Sequence, residues 1–101
     1  MKISLTEDEL KFIKDRVVKP LKKHGADIYV FGSRAKGTCS KFSDLDLLVR
    51  SKTVNQDLRK EIAKVSEFLM ESNFPYKVDL VVEDDLAQSY RDDILSTLLP
   101  V

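Results

Sequence analysis

The stretch from Gly32 to Val49, Gly-Ser-Arg-Ala-Lys-Gly-Thr-Cys-Ser-Lys-Phe-Ser-Asp-Leu-Asp-Leu-Leu-Val, constrains this chain more than any other. It opens with a turn, Gly32-Ser33, directly after the apolar run Ile28-Tyr29-Val30-Phe31, and closes with Asp44 and Asp46 at the head of a second apolar run. Residues two apart on a strand share a face. A strand from Asp44 to Val49 therefore carries both carboxylates on one face and buries Leu45 and Leu47 on the other. Two carboxylates so close repel each other unless a cation lies between them. A divalent ion that organises a phosphate is the natural candidate, because Mg²⁺ is typically held by one or two carboxylates plus substrate phosphate oxygens.

A third carboxylate, Asp79, lies inside the otherwise apolar run Val78-Asp79-Leu80-Val81-Val82. An unpaired acid in a buried strand costs several kcal/mol or neutralises itself through a raised pKa. It is either an edge-strand acid facing solvent or a partner of Asp44 and Asp46 on a neighbouring strand. In the second case three carboxylates surround one or two divalent ions. The turn supplies groups for an anion: Gly32 admits close approach of backbone amides, and Ser33 adds a hydroxyl. Arg34 and Lys36 can neutralise phosphate charge, or can be no more than a solvated basic turn. Gly37 ends that turn. Ser43 either orients Asp44 or caps the start of its strand.

Around this segment the periodicities give alternating elements. Thr6 to Glu9 has capping-box spacing, and Leu10, Ile13, Val17 and Leu21 follow at helical intervals. Pro20 should kink or end that helix. His24, before Gly25, reads as a surface residue complementing the helix dipole. Ala26 to Phe31 is the first strand, Arg34 to Lys36 a short helix, Thr38 to Phe42 a polar loop, and Asp44 to Val49 the second strand. Asn55 to Ser72, capped by Asn55 or Thr53, is amphipathic through Leu58, Ile62, Val65 and Leu69, with Phe68 beside the stripe. Lys77 to Val82 is the third strand, and Leu86 to Leu99 a last helix ended by Pro100. The expected fold class is α/β, a small mixed three-stranded sheet with helices packed on it in the order α-β-α-β-α-β-α. The helical crossover makes the second and third strands parallel, while the short excursion before Asp44 allows the first two to run antiparallel.

Composition adds exclusions. The 101 residues (1–101) are expected to form one domain. Seventeen basic and seventeen acidic residues cancel, which argues against a nucleic-acid binder relying on a broad basic surface. The single cysteine, Cys39, excludes an internal disulfide and a thiolate cluster, and the single histidine excludes a His-rich metal site. No apolar run approaches membrane-spanning length and the first residues lack a signal-peptide core, so the expected location is cytoplasmic.

Gly32-Ser33-Arg34-Ala35-Lys36-Gly37, five residues, then Ser43-Asp44-Leu45-Asp46-Leu47, resembles the signature of the DNA polymerase β-like nucleotidyltransferase superfamily. Within it the chain resembles the minimal nucleotidyltransferases, the MNT-type antitoxin proteins, and Asp79 falls where that family places its third acid. The resemblance implies metal-dependent transfer of a nucleoside monophosphate, AMP from ATP, to an acceptor hydroxyl with release of pyrophosphate. It assigns the β- and γ-phosphates to Gly32 and Ser33, and both metal ions, Mg²⁺ or Mn²⁺, to Asp44 and Asp46. Asp79 would bind the acceptor-side ion and help take the acceptor proton. With Arg34, Lys36 and Ser43 added, these are the expected nucleotide-binding and catalytic residues. The family also implies a HEPN-domain toxin as partner, with a tyrosine of that toxin as acceptor. Two other roles stay open: an antitoxin that masks its partner sterically, and the nucleotide-binding subunit of a small-molecule nucleotidyltransferase. The last helix, with Tyr90, Leu95, Leu98 and Leu99, either docks the partner or only covers the sheet.

Overall fold

The first helix starts where its sequence says it should. Thr6 Oγ1 accepts from the Glu9 amide at 3.1 Å, and the Thr6 amide donates to Glu9 Oε1 at 3.0 Å, closing the capping box before α1 (Glu7–Ile13). These elements come from a computed structural model that describes residues 3, 5–37 and 43–101. Cys39 and the expected Thr38 to Phe42 loop lie outside the described residues.

Pro20 does not end the helix. A π turn (Lys14–Val18) follows α1, and α2 (Lys19–Lys22) continues beyond it, with the Lys19 amide donating back to Lys14 O. The widened turn relieves the clash that a proline ring makes with the carbonyl four residues earlier. Ile13, Val17 and Leu21 stay fully buried through the change of pitch.

The sheet places β1 (Ala26–Phe31) and β2 (Leu45–Ser51) at its centre. These two run antiparallel, from Ala26 opposite Ser51 to Phe31 opposite Asp46. Between them lies α3 (Ser33–Lys36), a single turn closed by Gly37 in the left-handed region. The 16-residue α4 (Gln56–Glu71), capped by Asn55 Oδ1 on the Leu58 amide at 2.9 Å, carries the chain over to β3 (Val78–Val82), parallel to β2. One face of the sheet buries Ile28, Val30, Leu45, Leu47 and Val49 against Ile13, Val17 and Leu21 from the first helix and Leu58, Val65 and Leu69 from α4. Leu48, on the opposite face between Tyr29 and Val81, is also fully buried.

The C-terminal segment corrects two expectations. The last helix, α5 (Gln88–Leu95), is shorter than Leu86 to Leu99, because Ser96 and Thr97 turn their hydroxyls back onto Asp93 O and Ile94 O and close it. The chain then forms β4 (Leu99–Pro100), antiparallel to β1 through Val30–Leu99 and Tyr29–Pro100. Among the described residues the sheet therefore has four strands, ordered β3-β2-β1-β4, and not three. The extra strand pairs an edge of β1 that would otherwise stand open. Of the four residues named on the expected last helix, Tyr90 (65% exposed) and Leu95 lie on α5, while Leu98 and Leu99 lie beyond it.

Candidate active site

Strand register brings two of the three expected carboxylates directly together. In the parallel β2–β3 pair Asp46 lies opposite Asp79, one step along from Leu45 opposite Val78. Directly paired residues point to the same face. The acids therefore share the face away from the core, flanked on the other side by Phe31 of β1. Asp44, expected as the first residue of the second strand, instead stands exposed just before β2, which begins at Leu45, so strand alternation does not set its face.

The charges are felt. Partial burial, then the nearby carboxylates of Asp79 and Asp44, push Asp46 above the usual carboxylate range, and Lys77 opposes this. Lys77 is also within 3.8 Å of Asp79 Oδ1. It was absent from the expected site. Its signal was nonetheless in the sequence, since residues 77 and 79 are two apart on one extended segment.

Gly32 closes the site from the side of β1. Its backbone has φ 76° and ψ −153°, a region essentially reserved for glycine. A Cβ built there would lie 2.6 Å from Asp46 Oδ2, so the carboxylate rests against bare backbone. Gly32 O then accepts from the Ala35 and Lys36 amides at 3.1 Å each, which winds α3 and brings Ser33, partly exposed, to the head of the turn.

The two cations of the turn have different surroundings. Lys36 is exposed, whereas Arg34 is 3% exposed. Its Nε and Nη2 donate to Ser43 O at 3.1 and 2.9 Å, and its guanidinium lies 3.7 Å from the centre of the Tyr76 ring. Sequence reasoning did not single out Tyr76. A groove of about 640 Å³ runs beside β3, with Leu69, Met70, Phe74, Tyr76, Lys77 and Asp79 among its walls.

Among the described residues no three His, Cys, Asp or Glu side chains already converge as a metal cage. The donor set still fits a hard divalent ion. Carboxylate oxygens suit Mg²⁺, which keeps waters and takes phosphate oxygens instead of an all-protein shell. The nearby carboxylates of Asp79 and Asp44 give this corner of the sheet the negative charge that a divalent ion would neutralise.

Comparisons with known proteins bear on the family and the fold. Residues 10–99 match the family model described as a nucleotidyltransferase domain. A Haemophilus influenzae protein assigned as the protein adenylyltransferase MntA is 34% identical over 67 residues, 66% of this chain and 57% of the relative, so the match spans little more than half of that protein. A solved structure assigned to the minimal nucleotidyltransferases superposes with a TM-score of 0.70 at 31% identity, covering 96% of this chain and 97% of the other. The MNT antitoxin complex with a tri-AMPylated Shewanella oneidensis HEPN toxin gives a TM-score of 0.55 at 19% identity, over 89% of this chain and 69% of the other, a likeness of fold alone.

Proposed function

We propose that this chain, which belongs to the nucleotidyltransferase domain family, transfers AMP from ATP to a hydroxyl of a bound protein, a tyrosine of a HEPN-type toxin, and is thereby the antitoxin of a toxin–antitoxin pair. The observation that carries the reading is the direct pairing of Asp46 with Asp79 across β2 and β3, with Gly32 against Asp46. The similarity to a protein adenylyltransferase supports the acceptor class.

Asp44 and Asp46 would hold the divalent ions, Mg²⁺ or Mn²⁺, and Asp79 the acceptor-side one. Bound there, the metal supplies charge neutralisation of the triphosphate and acidifies the acceptor hydroxyl. Gly32 and Ser33 receive the β- and γ-phosphates, and exposed Lys36 offers a point charge. Asp79, in the wall of the groove beside β3, receives the proton as the acceptor oxygen bonds to the α-phosphorus. The bond from that phosphorus to the bridging oxygen breaks, and pyrophosphate leaves. Residues 1–101 act as one domain in this reading, in the cytoplasm. No helix among the described residues is long and apolar enough to cross a membrane.

The test is label transfer. Purified chain, ATP labelled at the α-phosphate, Mg²⁺ and a HEPN partner should yield labelled partner, and Asp44→Asn or Asp46→Asn should abolish it without unfolding the chain. If Asp46→Asn neutralises the partner as well as wild type does, steric masking replaces catalysis. Label on a small hydroxylated compound in place of protein would move the acceptor class.

A further inference from the structure

We infer that Arg34 is a positioning residue that sets the spacing of the carboxylates, acting through Ser43 and Tyr76 and not through contact with the nucleotide. It stands on α3, one residue after the Gly32-Ser33 turn. Its guanidinium donates twice to Ser43 O, the carbonyl immediately before Asp44. The same plane covers the ring of Tyr76, three residues before Asp79. One side chain thus joins the three segments that carry Gly32, Asp44 and Asp79.

The junction is braced on both sides. The Leu45 amide donates to Lys77 O at 2.8 Å, which starts the β2–β3 ladder beside Arg34's two partners. Tyr76 meets Phe74 edge-on with centroids 5.6 Å apart, and Phe74 stacks on Phe12 of α1 at 5.3 Å. The guanidinium therefore rests on an aromatic row rooted in the helix layer. A lysine at this position keeps the charge but has neither the fork that reaches Ser43 O twice nor the flat face that lies on a ring.

The inference rests on the nucleotidyl-transfer reading, and two measurements separate the two. Mn²⁺ binding is titrated by water-proton relaxation without nucleotide, and AMP transfer to the partner gives kcat and KM for ATP. Variants are Arg34→Lys, Tyr76→Phe and Tyr76→Leu, with folding checked by circular dichroism. Arg34→Lys and Tyr76→Leu should weaken Mn²⁺ binding and lower kcat by about 10–100-fold, with KM for ATP changed less. Tyr76→Phe, which keeps the ring, should match wild type. If Arg34→Lys fails to fold, the Tyr76 pair decides.

A large rise in KM for ATP with unchanged Mn²⁺ affinity would overturn the inference in favour of direct nucleotide contact. Variants that all behave as wild type would overturn it outright. A wild-type chain that binds Mn²⁺ but transfers no AMP overturns the reading of function and leaves the Mn²⁺ comparison to judge Arg34. A wild-type chain that binds no Mn²⁺ overturns both.

Discussion

Asp46 is ionised at a cost that the fold has to carry. Burial and two neighbouring carboxylates raise its pKa, so the folded chain binds this proton more tightly than the unfolded chain does. Stability should therefore rise as pH falls through the raised value toward the ordinary carboxylate range, and be lost as pH climbs back. Asp46→Asn removes the penalty. We expect the variant to melt above wild type at neutral pH and the gap to close in acid, as followed by thermal melts across pH; a variant that melts lower throughout would contradict this. A divalent ion should reverse the order, stabilising wild type by mass action and leaving Asp46→Asn unmoved. Gly32 makes the complementary case. Gly32→Ala forces a side chain into a glycine-only conformation and onto Asp46 Oδ2, costing ~1–3 kcal/mol of stability. Displacing that carboxylate should cut AMP transfer on the order of a hundredfold, and transfer at the wild-type rate would mean that the carboxylate has room to move.

At the scale of elements, ends matter more than middles. The length of α4 rests on an apolar stripe, but its first turn rests on Asn55, whose side chain satisfies the Leu58 amide. Asn55→Ala should cost about 1 kcal/mol in urea unfolding while leaving label transfer intact, since the cap lies outside the carboxylate cluster. Arginine side chains also tie the segment just after β3 to its neighbours. Arg50 pairs with Glu83, Arg91 donates to Glu83 O at 3.2 Å, and Arg59 meets Asp85 at 3.1 Å. The Arg59 and Asp85 side chains are about half exposed, and pairs of that kind contribute little. The geometry of β3, and with it Asp79, therefore depends on the β2 ladder more than on these bridges.

For the molecule as a whole, the face that carries Asp46 and Asp79 is only as ordered as the core beneath it. Leu47 lies fully buried between Val30 and Leu80, immediately after Asp46. Leu47→Ala should cost about 2–5 kcal/mol, a large share of the ~5–15 kcal/mol available to a domain of this size. Calorimetry should show a melting point lower by ten degrees or more, and a shift of only one or two degrees would mean that the core closes over the cavity.

The sequence alone determined the local part of this protein. Most strand and helix stretches follow from side-chain periodicity, and the capping box at Thr6 from its spacing to Glu9, signals that a chain carries along its own length. Spacing also singled out Asp79, since an acid among Val and Leu needs an explanation wherever the strand sits. Only the tertiary structure decided that Asp79 stands opposite Asp46, because register between strands 33 residues apart is set by packing on both faces. It also decided that β4, two residues long, closes the edge of β1, and that a π turn absorbs Pro20. Both answer constraints, an open strand edge and a missing amide, whose solution lies in neighbouring backbone. Arg34 shows the difference most directly: its type left open a phosphate-neutralising cation or a solvated basic turn, but a carbonyl nine residues on and a ring 42 residues on determined where that cation rests.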